Sequence, residues 1–279
     1  MSIFLAMAPT FAQPPEGTLV PPVQGAYIGV RASGTANPWD AGGQANFGWR
    51  EVLFTAEHPM LSYNFVGMEF MSRSATHDLA LGARLFVQPV SFLQTSVAYE
   101  RICYPFGLVS FTGHPDKSED EIWTEPLEWN DSWADVFSWR WSVHREIGTL
   151  QGRISGTWSR IDVDNSLDSL YIPGFDVVAR SRDDIMSLDA SIGYVTEAPF
   201  LAAVGPVYSY TQSVDHEIER GRVGIWMQAW PFSSRSGEFV PFWTLRSRLD
   251  LWTTHTSRRW QPRLELTLGW ERNIFQPNP

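Results

Sequence analysis

Cysteine, lysine and long apolar runs are nearly missing from this chain of 279 residues. Cys103 is the only cysteine, so no disulfide can form within the chain, and Lys117 is the only lysine, so arginine supplies nearly all of the positive charge. After the N-terminus, no stretch reaches the ~18 apolar residues that a membrane-spanning helix needs. The net charge of −10 argues against a nucleic-acid-binding protein, because such proteins need a basic surface.

The N-terminal residues 1–12 combine a short apolar stretch with small residues near Ala12. This pattern is typical of the second half of a secretory signal peptide with cleavage after Ala12, although the usual basic segment before it is missing. The alternative is a disordered apolar N-terminus. We expect residues 13–279 to form a single domain, since all-β barrels commonly have this length.

Apolar and polar residues alternate with a period of two from about residue 22 onward. In residues 79–87 the odd positions are Leu, Leu, Ala, Leu and Val, whereas the even positions are Ala, Gly, Arg and Phe. Residues 263–270 alternate in the same way, with leucine at 264, 266 and 268. Period two indicates β-strands, because successive side chains of a strand point to opposite faces. The sequence therefore predicts an all-β fold.

Turn-forming residues divide the chain into twelve predicted strands. These are residues 22–32, 44–56, 60–73, 77–87, 91–103, 132–146, 150–163, 184–196, 200–212, 217–230, 239–252 and 259–271. Short turns are predicted near 57–59, 88–90, 147–149, 197–199 and 231–238. Longer loops are predicted near 33–43, 104–131, 164–183, 213–216 and 253–258, with a tight turn near 74–76. Outer-membrane barrels have an even number of strands, short periplasmic turns and longer outer loops.

Aromatic residues are abundant, with 14 tryptophans, and Trp and Tyr favour the interface between lipid and water. We expect two aromatic bands on the lipid face. The predicted outer band contains Trp133, Trp158, Tyr210, Trp252 and Trp260, and the predicted periplasmic band contains Phe92, Phe200, Trp230, Phe239 and Trp270. Predicted outward residues such as Trp139, Trp141 and Val143 suit lipid better than water. They favour a barrel over the alternative, a soluble β-sandwich that binds sugar.

With these features the chain resembles bacterial outer-membrane β-barrels over residues 22–271. The resemblance implies an antiparallel up-and-down transmembrane β-barrel of about twelve strands, located in the outer membrane of a Gram-negative bacterium. The implied partners are the lipid bilayer, lipopolysaccharide and the barrel-assembly machinery, which recognises closing strands such as residues 263–270. Closing strands usually end on a C-terminal aromatic residue, whereas here nine residues follow Trp270, and Phe275 is out of register with it.

Many arginines fall on the polar faces of the predicted strands. The predicted pore-lining residues are Arg84, Arg140, Arg153, Arg220, Arg222, Arg246, Arg248, Asp189 and Glu265. The other residues predicted to face inward are Arg31, Arg50, Glu100, Glu146, Asp250 and Glu271. Arg220, Arg222, Arg246 and Arg248 belong to adjacent strands and form a predicted basic wall.

A basic wall in a narrow barrel favours anions, because charged rings set pore selectivity. We therefore expect a small porin or channel whose partners are small anionic solutes, in a size class that resembles porins for acidic oligosaccharides. The alternative is a lumen closed by arginine–carboxylate pairs, in a structural or adhesion barrel that acts through its outer loops. Twelve strands lie between filled and open barrels, so strand number leaves both possibilities open.

Two further features are weaker indicators of function. The acidic loop 113–131 is predicted to be solvated, with bridging to lipopolysaccharide through divalent cations or a constriction of the pore as alternatives. Ser142 and His144 share a strand face, so a barrel lipid hydrolase is a third hypothesis, but their surroundings differ from those of barrel phospholipases. The sequence predicts no catalytic site, no metal site and no cofactor.

Overall fold

A single β-sheet dominates the computed structural model. It describes residues 24–36, 40–54, 64–76, 78–111, 128–164, 169–172, 177–196, 201–215, 219–230, 242–254 and 260–275. Within these ranges twelve long strands occur: β1 Gly25–Ala36, β2 Asp40–Val52, β3 Phe65–Ala75, β4 Leu79–Val90, β5 Leu93–Phe111, β6 Glu128–Ile147, β7 Leu150–Val163, β10 Arg182–Thr196, β11 Leu201–Ser213, β12 Glu219–Trp230, β13 Phe242–Thr254 and β14 Pro262–Phe275. The short strands β8 Ser169–Ile172 and β9 Val177–Ala179 lie between β7 and β10.

The twelve long strands close into a barrel. Each pairs antiparallel with its neighbours, and β14 returns to pair with β1, so that Trp270 lies opposite Val30. The first and last of these strands therefore have their outer ends, Gly25 and Phe275, at the same end of the barrel. We call this end the terminal rim, and the opposite end, which carries the β5–β6 and β7–β10 connections, the loop rim.

The outer surface of the barrel is apolar. Predicted outward residues on β6 and β12, such as Trp139 and Ile225, are exposed, and the positions between them are buried or half-buried. On β6 the outward charged residues Asp135 and Arg145 enclose only Phe137, Trp139, Trp141 and Val143. Ten residues of a tilted strand rise by about 25 Å, which is the height of the apolar band of outer-membrane barrels.

The predicted transmembrane barrel of about twelve antiparallel strands is thus confirmed. The alternative of a soluble sandwich fails, because its outward faces would have to be polar. No helix in the described part of the chain is long and apolar enough to cross a membrane.

Inside the barrel, aromatic rings lie flat against glycines of neighbouring strands. The Tyr27 ring of β1 covers Gly48 of β2, where a Cβ atom would lie 2.5 Å from the ring. In the same region the Phe86 ring covers Gly67, and Phe86 packs edge-to-face against Phe65 with 5.8 Å between ring centroids. Glycine at these positions lets large rings fill the interior near the terminal rim without pushing the strands apart.

The predicted aromatic bands are correct only in part. Trp133 and Trp260 are exposed and Trp158 lies on an outward position, but Trp252 is 1% exposed and faces inward, so its assignment to the lipid face is wrong. The physical reason is the strand period, because Trp252 shares its face with Arg248 and Asp250. Phe200 and Phe239 lie outside the described residues.

Several predicted connections are shorter than expected, because strands continue into them. β5 runs on to Phe111 and β6 begins at Glu128, so part of the predicted loop 104–131 is a paired extension. The register shifts between Tyr104 and Leu108, around Pro105, which has no N–H for the ladder. β1 and β2 likewise reach Ala36 and Asp40, inside the predicted loop 33–43.

The predicted loop 164–183 also needs correction, since it contains the β8–β9 hairpin. β8 pairs with the end of β5, with Ser169 opposite Phe111. At the terminal rim, β2 ends at Val52 and β3 begins at Phe65, so β2 ends earlier and β3 begins later than the strands predicted at 44–56 and 60–73, and the turn predicted at 57–59 lies outside the described residues. The predicted signal-peptide segment 1–12 and most of the acidic loop 113–131 lie outside the described residues.

The closing strand extends beyond its predicted end at residue 271. Phe275 pairs with Ala26, whereas Asn273 pairs with Tyr27, so the register shifts by one residue between them. Because of this shift, Phe275 pairs with an even-numbered residue of β1, as Trp270 does, although the two are an odd number of positions apart. Position 275 therefore has the same place as position 270 in the alternating pairing with β1.

Candidate functional site

The predicted pore-lining residues all occupy inward positions of the strands. Arg84 lies on β4, Arg140 on β6, Arg153 on β7, Asp189 on β10, Arg220 and Arg222 on β12, Arg246 and Arg248 on β13, and Glu265 on β14. The structure divides them, apart from Arg220 and Arg222, into two groups with different surroundings. Their role in transport stays a prediction.

The first group belongs to a compact network of charges that we call the paired cluster. Its members are Asp189, Ser209, Arg248, Asp250, Arg263 and Glu265. Arg248 lies at its centre: its Nε is 2.6 Å from a carboxylate oxygen of Asp250, and it donates a 2.7 Å hydrogen bond to Ser209 Oγ. Asp189 lies 3.4 Å from the same guanidinium and accepts a hydrogen bond from Ser209.

Arg263 extends the paired cluster onto β14. It donates a 2.8 Å hydrogen bond to Glu265 and lies 3.6 Å from Asp250. Asp250 is 0% exposed and Arg248 is 3% exposed, so these charges are removed from water. A buried charge is tolerated when opposite charges and hydrogen bonds compensate for its lost hydration, and the paired cluster supplies both.

A second network lies near the terminal rim and joins five strands. The Tyr27 hydroxyl donates to Glu69 at 2.7 Å, and the other oxygen of Glu69 lies 2.5 Å from Arg84. Arg50 makes a forked contact with Glu271 at 3.0 and 3.3 Å and lies over the Tyr27 ring at 3.8 Å. This network ties β1, β2, β3, β4 and β14 together around the closure of the barrel.

The second group of arginines follows the inner circumference of the barrel. We call it the arginine ring, and its members are Arg31, Arg84, Arg140, Arg153 and Arg246. Arg31 interacts electrostatically with Arg84 and Arg246, Arg153 interacts with Arg246 and Arg140, and Arg140 interacts with Arg84. These neighbour relations close on themselves and follow the order of the strands around the barrel, β4, β1, β13, β7 and β6. Carboxylates act on these arginines as well: Glu69 and Glu271 on Arg31, and Asp189 on Arg140 and Arg153.

The arginine ring differs from the paired cluster in compensation and in exposure. Among the described residues, no carboxylate forms an ion pair with Arg31 or Arg246, and Arg246 Nε has no hydrogen-bond acceptor. Four of the five members are half-buried, and only Arg84 is buried. Because these side chains point inward, their exposed surface borders space inside the barrel.

The predicted basic wall of Arg220, Arg222, Arg246 and Arg248 is split between different surroundings. Arg248 belongs to the paired cluster and Arg246 to the arginine ring. Arg222 lies over the Trp252 ring at 5.1 Å, and Arg220 is buried and donates to the Glu219 carbonyl oxygen. The four lie on adjacent strands but not together, because Arg246 pairs with Gln228, six residues from Arg222. Asp250 on the same strand and Asp189 on β10 compensate Arg248.

Sequence reasoning left out three inward charged residues that form ion pairs, and two of them, Glu69 and Arg263, belong to the networks. Glu69 and Arg73 lie on β3, where Met68, Phe70 and Met71 make both faces apolar, so the alternation is hard to read. Arg263 falls on the polar face of the predicted closing strand and was overlooked as a partner for Asp250. Arg73 lies 3.5 Å from Asp78 near the loop rim. A charged residue within an apolar strand is the signal that would have identified Glu69 and Arg73.

Ser142 and His144, considered above for a hydrolase, lie on the inward face of β6. Arg153 stands directly opposite His144 on β7, and Ser155 stands opposite Ser142. The surrounding lipid is on the other side of the sheet. In the described ranges, no group of three or more His, Cys, Asp or Glu side chains is arranged to hold a metal ion.

No protein-family model and no curated protein matches the chain in sequence. Solved structures match its fold. The β domain of the Bordetella autotransporter BrkA is 8% identical, with a TM-score of 0.49, 90% of this chain and 100% of that chain being covered. The KdgM porin in complex with disordered oligogalacturonate is 8% identical, with a TM-score of 0.39 and coverages of 89% and 99%.

The Acinetobacter baumannii outer membrane protein Omp33 is also 8% identical, with a TM-score of 0.41 and coverages of 90% and 99%. At these identities the likeness concerns the fold alone. A closed, even-stranded barrel with an apolar belt about 25 Å high is the form in which proteins span the bacterial outer membrane. The chain is therefore an outer-membrane β-barrel surrounded by a lipid bilayer.

Proposed function

We propose that this protein is an outer-membrane channel that conducts small anions past the arginine ring. The observation that supports this proposal is the ring itself, with arginines from five strands facing one another across the interior. Like charges on a barrel wall repel each other and reduce stability, so their retention points to a use for the positive potential. An anion in transit would relieve this repulsion.

The electrostatics of the ring favour anions over cations. Guanidinium groups stay charged at any physiological pH, and their potential is stronger beside a low-dielectric wall than in free water. Rings of arginine or lysine side chains select for anions in pores, as rings of carboxylates select for cations. The half-buried state of Arg31 and Arg246 keeps both side chains available to a solute.

The test is single-channel conductance of the refolded protein in a planar bilayer with a salt gradient. We expect steady current steps and a reversal potential of the sign that indicates anion selectivity. The double variant R31Q/R246Q should shift the reversal potential toward zero and lower the anion conductance by about half or more, because two of the five ring charges are lost. Raising the salt concentration should weaken the selectivity, since mobile ions screen the ring.

A matched control is R145Q, which removes an exposed arginine from the outward face of β6 at the terminal rim. Its selectivity should equal that of the wild type, because the side chain lies on the other side of the sheet. A conducting protein that prefers cations, or a selectivity unchanged in R31Q/R246Q, would contradict the proposal.

One observation favours the alternative of a closed barrel that acts through its outer loops. Large side chains, including Tyr27, Tyr104, Trp226 and Trp252, are buried in the interior on inward positions, and the paired cluster fills a further part of it. Under this alternative the folded protein inserts into the bilayer but carries no current. The conductance measurement therefore distinguishes the two functions directly.

A further inference from the structure

Charged residues form a row on the outward face near the loop rim. Arg101 on β5 lies opposite Asp135 on β6, Asp135 lies opposite Asp162 on β7, and Asp162 lies opposite Arg182 on β10. The row thus crosses four neighbouring strands, with an arginine at each end and two carboxylates between them. All four positions alternate in step with the lipid-facing residues of their strands and so lie on the outward face.

A second row lies next to the first on the membrane side. Its members, Tyr99, Phe137, Arg160 and Asp184, come from the same four strands and face outward too. We call the two rows together the charged sector. Arg182 and Arg160 have 79% and 64% of their side chains exposed, so their ion pairs with Asp162 at 3.0 Å and Asp184 at 3.5 Å lie open to the surroundings.

The charged sector covers one side of the barrel, and next to it Glu219 on β12 is a further exposed charge on the outward face near the same rim. Across the barrel, the outward positions near the same rim on β13, β14 and β1–β4 carry small, apolar or hydroxyl side chains within the described residues. They are Leu251, Thr253, Pro262, Leu264, Ala32, Gly34, Ala41, Gly43, Ser72, Ser74, Leu79 and Leu81. If every strand needed charged residues at this distance from the rim, charges would surround the barrel. Their concentration on one side therefore indicates a binding site for a particular partner.

The depth of the charged sector places it at the level of lipid headgroups. The apolar stretch of β6 separates Asp135 from Arg145 by ten residues, about the 25 Å of an outer-membrane apolar band. Exposed Trp133 lies beside the row, with Arg101 over its ring at 5.3 Å, as expected at a membrane interface. The two-residue turns β4–β5 and β6–β7 lie at the terminal rim and mark it as the periplasmic side, so the charged sector faces the outer leaflet.

We propose that the charged sector binds the phosphorylated disaccharide headgroup of a lipopolysaccharide molecule in the outer leaflet. The two arginines of the first row lie three strand spacings apart, or about 14 Å. This headgroup carries a phosphate at each end of its disaccharide, whereas a phospholipid headgroup carries one phosphate. One lipopolysaccharide can therefore engage Arg101 and Arg182 at the same time.

The chemistry of the row suits this ligand. Guanidinium groups make forked, charge-assisted hydrogen bonds to phosphate. The exposed pair between Arg182 and Asp162 is weak, so a phosphate can displace the carboxylate from the guanidinium. Asp135 and Asp162, between the arginines, are acceptors for the hydroxyl groups of the sugar. Arg160 adds a third cation on the membrane side of the row.

The test measures binding of purified lipid A to the full, refolded chain in detergent by isothermal titration calorimetry. We expect the triple variant R101Q/R160Q/R182Q to bind lipid A at least about tenfold more weakly than the wild type, since charge-assisted contacts are lost. Removing one phosphate from lipid A should weaken binding to the wild type but hardly affect the triple variant. The control R145Q, with its arginine at the opposite rim, should bind like the wild type.

Three results would overturn the proposal: equal affinity of the triple variant and the wild type, an equally large loss in R145Q, or wild-type binding of phosphatidylglycerol as tight as that of lipid A. Heat-modifiable migration on gels verifies that each variant is folded. If the triple variant does not fold, R101Q and R182Q measured singly replace it, each with an expected loss of about threefold or more. Binding does not depend on conductance, so this test is independent of the channel proposal.

Discussion

Arg246 and Arg248 lie two residues apart on the same face of β13, yet their surroundings are opposite. Arg248 is buried and bound to Asp250, Asp189 and Ser209, whereas Arg246 is half-buried and has the arginines of the ring and Glu265 as its charged neighbours. Arg248 is held by Asp250, two residues along its own strand, and by Asp189 on β10 and Ser209 on β11. Among the described residues, no carboxylate forms an ion pair with Arg246.

This contrast distinguishes the charged residues that stabilise the barrel from those that we propose to act in transport. The paired cluster compensates its charges and holds β10, β11, β13 and β14 together, so it acts as a structural unit. In the arginine ring, Arg31 and Arg246 form no ion pair within the described ranges, and the like charges of the ring reduce stability and create a positive potential. Substitutions in the two groups should therefore have opposite effects on the free energy of unfolding.

The largest effect is expected for D250A in the paired cluster. It removes the carboxylate between Arg248 and Arg263 and leaves two buried guanidinium groups undercompensated, so the free energy of unfolding should fall by about 3–5 kcal/mol. Urea unfolding in lipid vesicles, followed by tryptophan fluorescence, measures it. D162A, which breaks an exposed pair with Arg182, is the control and should change stability by at most about 1 kcal/mol. Similar losses in both variants would refute the structural role of the paired cluster.

An intermediate effect is expected for G48A. The added Cβ would lie 2.5 Å from the Tyr27 ring and displace it, which should lower the free energy of unfolding by about 1–3 kcal/mol. G152A is the matched control, because its Cβ would meet only a backbone oxygen of Arg145 at 3.9 Å. A loss no greater in G48A than in G152A would show that the ring of Tyr27 moves freely.

A smaller effect is expected for Y27F. It keeps the aromatic ring over Gly48 but removes the hydroxyl that donates to Glu69, so stability should fall by about 1–2 kcal/mol. The control Y99F removes a hydroxyl that donates to Asp135 on the exposed outer face. We expect a loss of less than about 0.5 kcal/mol for the control in the same unfolding measurement. The reverse order would mean that the buried hydroxyl contributes nothing net.

The smallest change is expected for R246Q in the arginine ring. Removing one of several like charges should leave the free energy of unfolding unchanged or raise it by up to about 1 kcal/mol, since repulsion from Arg31 and Arg153 is relieved. R248Q, two residues away, serves as its control and should lose about 3 kcal/mol because Asp250 loses its closest partner. Equal destabilisation by R246Q and R248Q would abolish the distinction between the two groups.

Much of the fold follows from local patterns. The period-two alternation in residues such as 79–87 and 263–270 predicts strands with one apolar face, and it correctly predicts twelve of them and the outward position of Trp139. The prediction failed where the preference of a residue type for the membrane interface was given more weight than the alternation. Trp252 was assigned to the lipid face because tryptophan favours interfaces, although its parity with Arg248 and Asp250 is that of an inward residue.

The charged residues show where sequence reasoning ends. The alternation of faces along a strand is enough to predict which arginines face inward, because it is a property of that strand alone. Which charged residues form ion pairs depends on the register between strands. That register in turn depends on the closure of β1 against β14 and on bulges such as the shift before Phe275. Glu69 was overlooked for this reason, since it is meaningful only with Tyr27 and Arg84 beside it.

The sequence by itself therefore determined the number of barrel strands, the faces of most residues in them and the membrane-spanning character of the protein, because these depend on spacings of a few residues. Only the tertiary structure decided which charges meet. Arg101 and Arg182 are 81 residues apart in the chain, yet register sets them at the two ends of one outward row. The same register places Arg248 against carboxylates and Arg246 against other arginines, because electrostatic interactions depend on distances in space and not on separation along the chain.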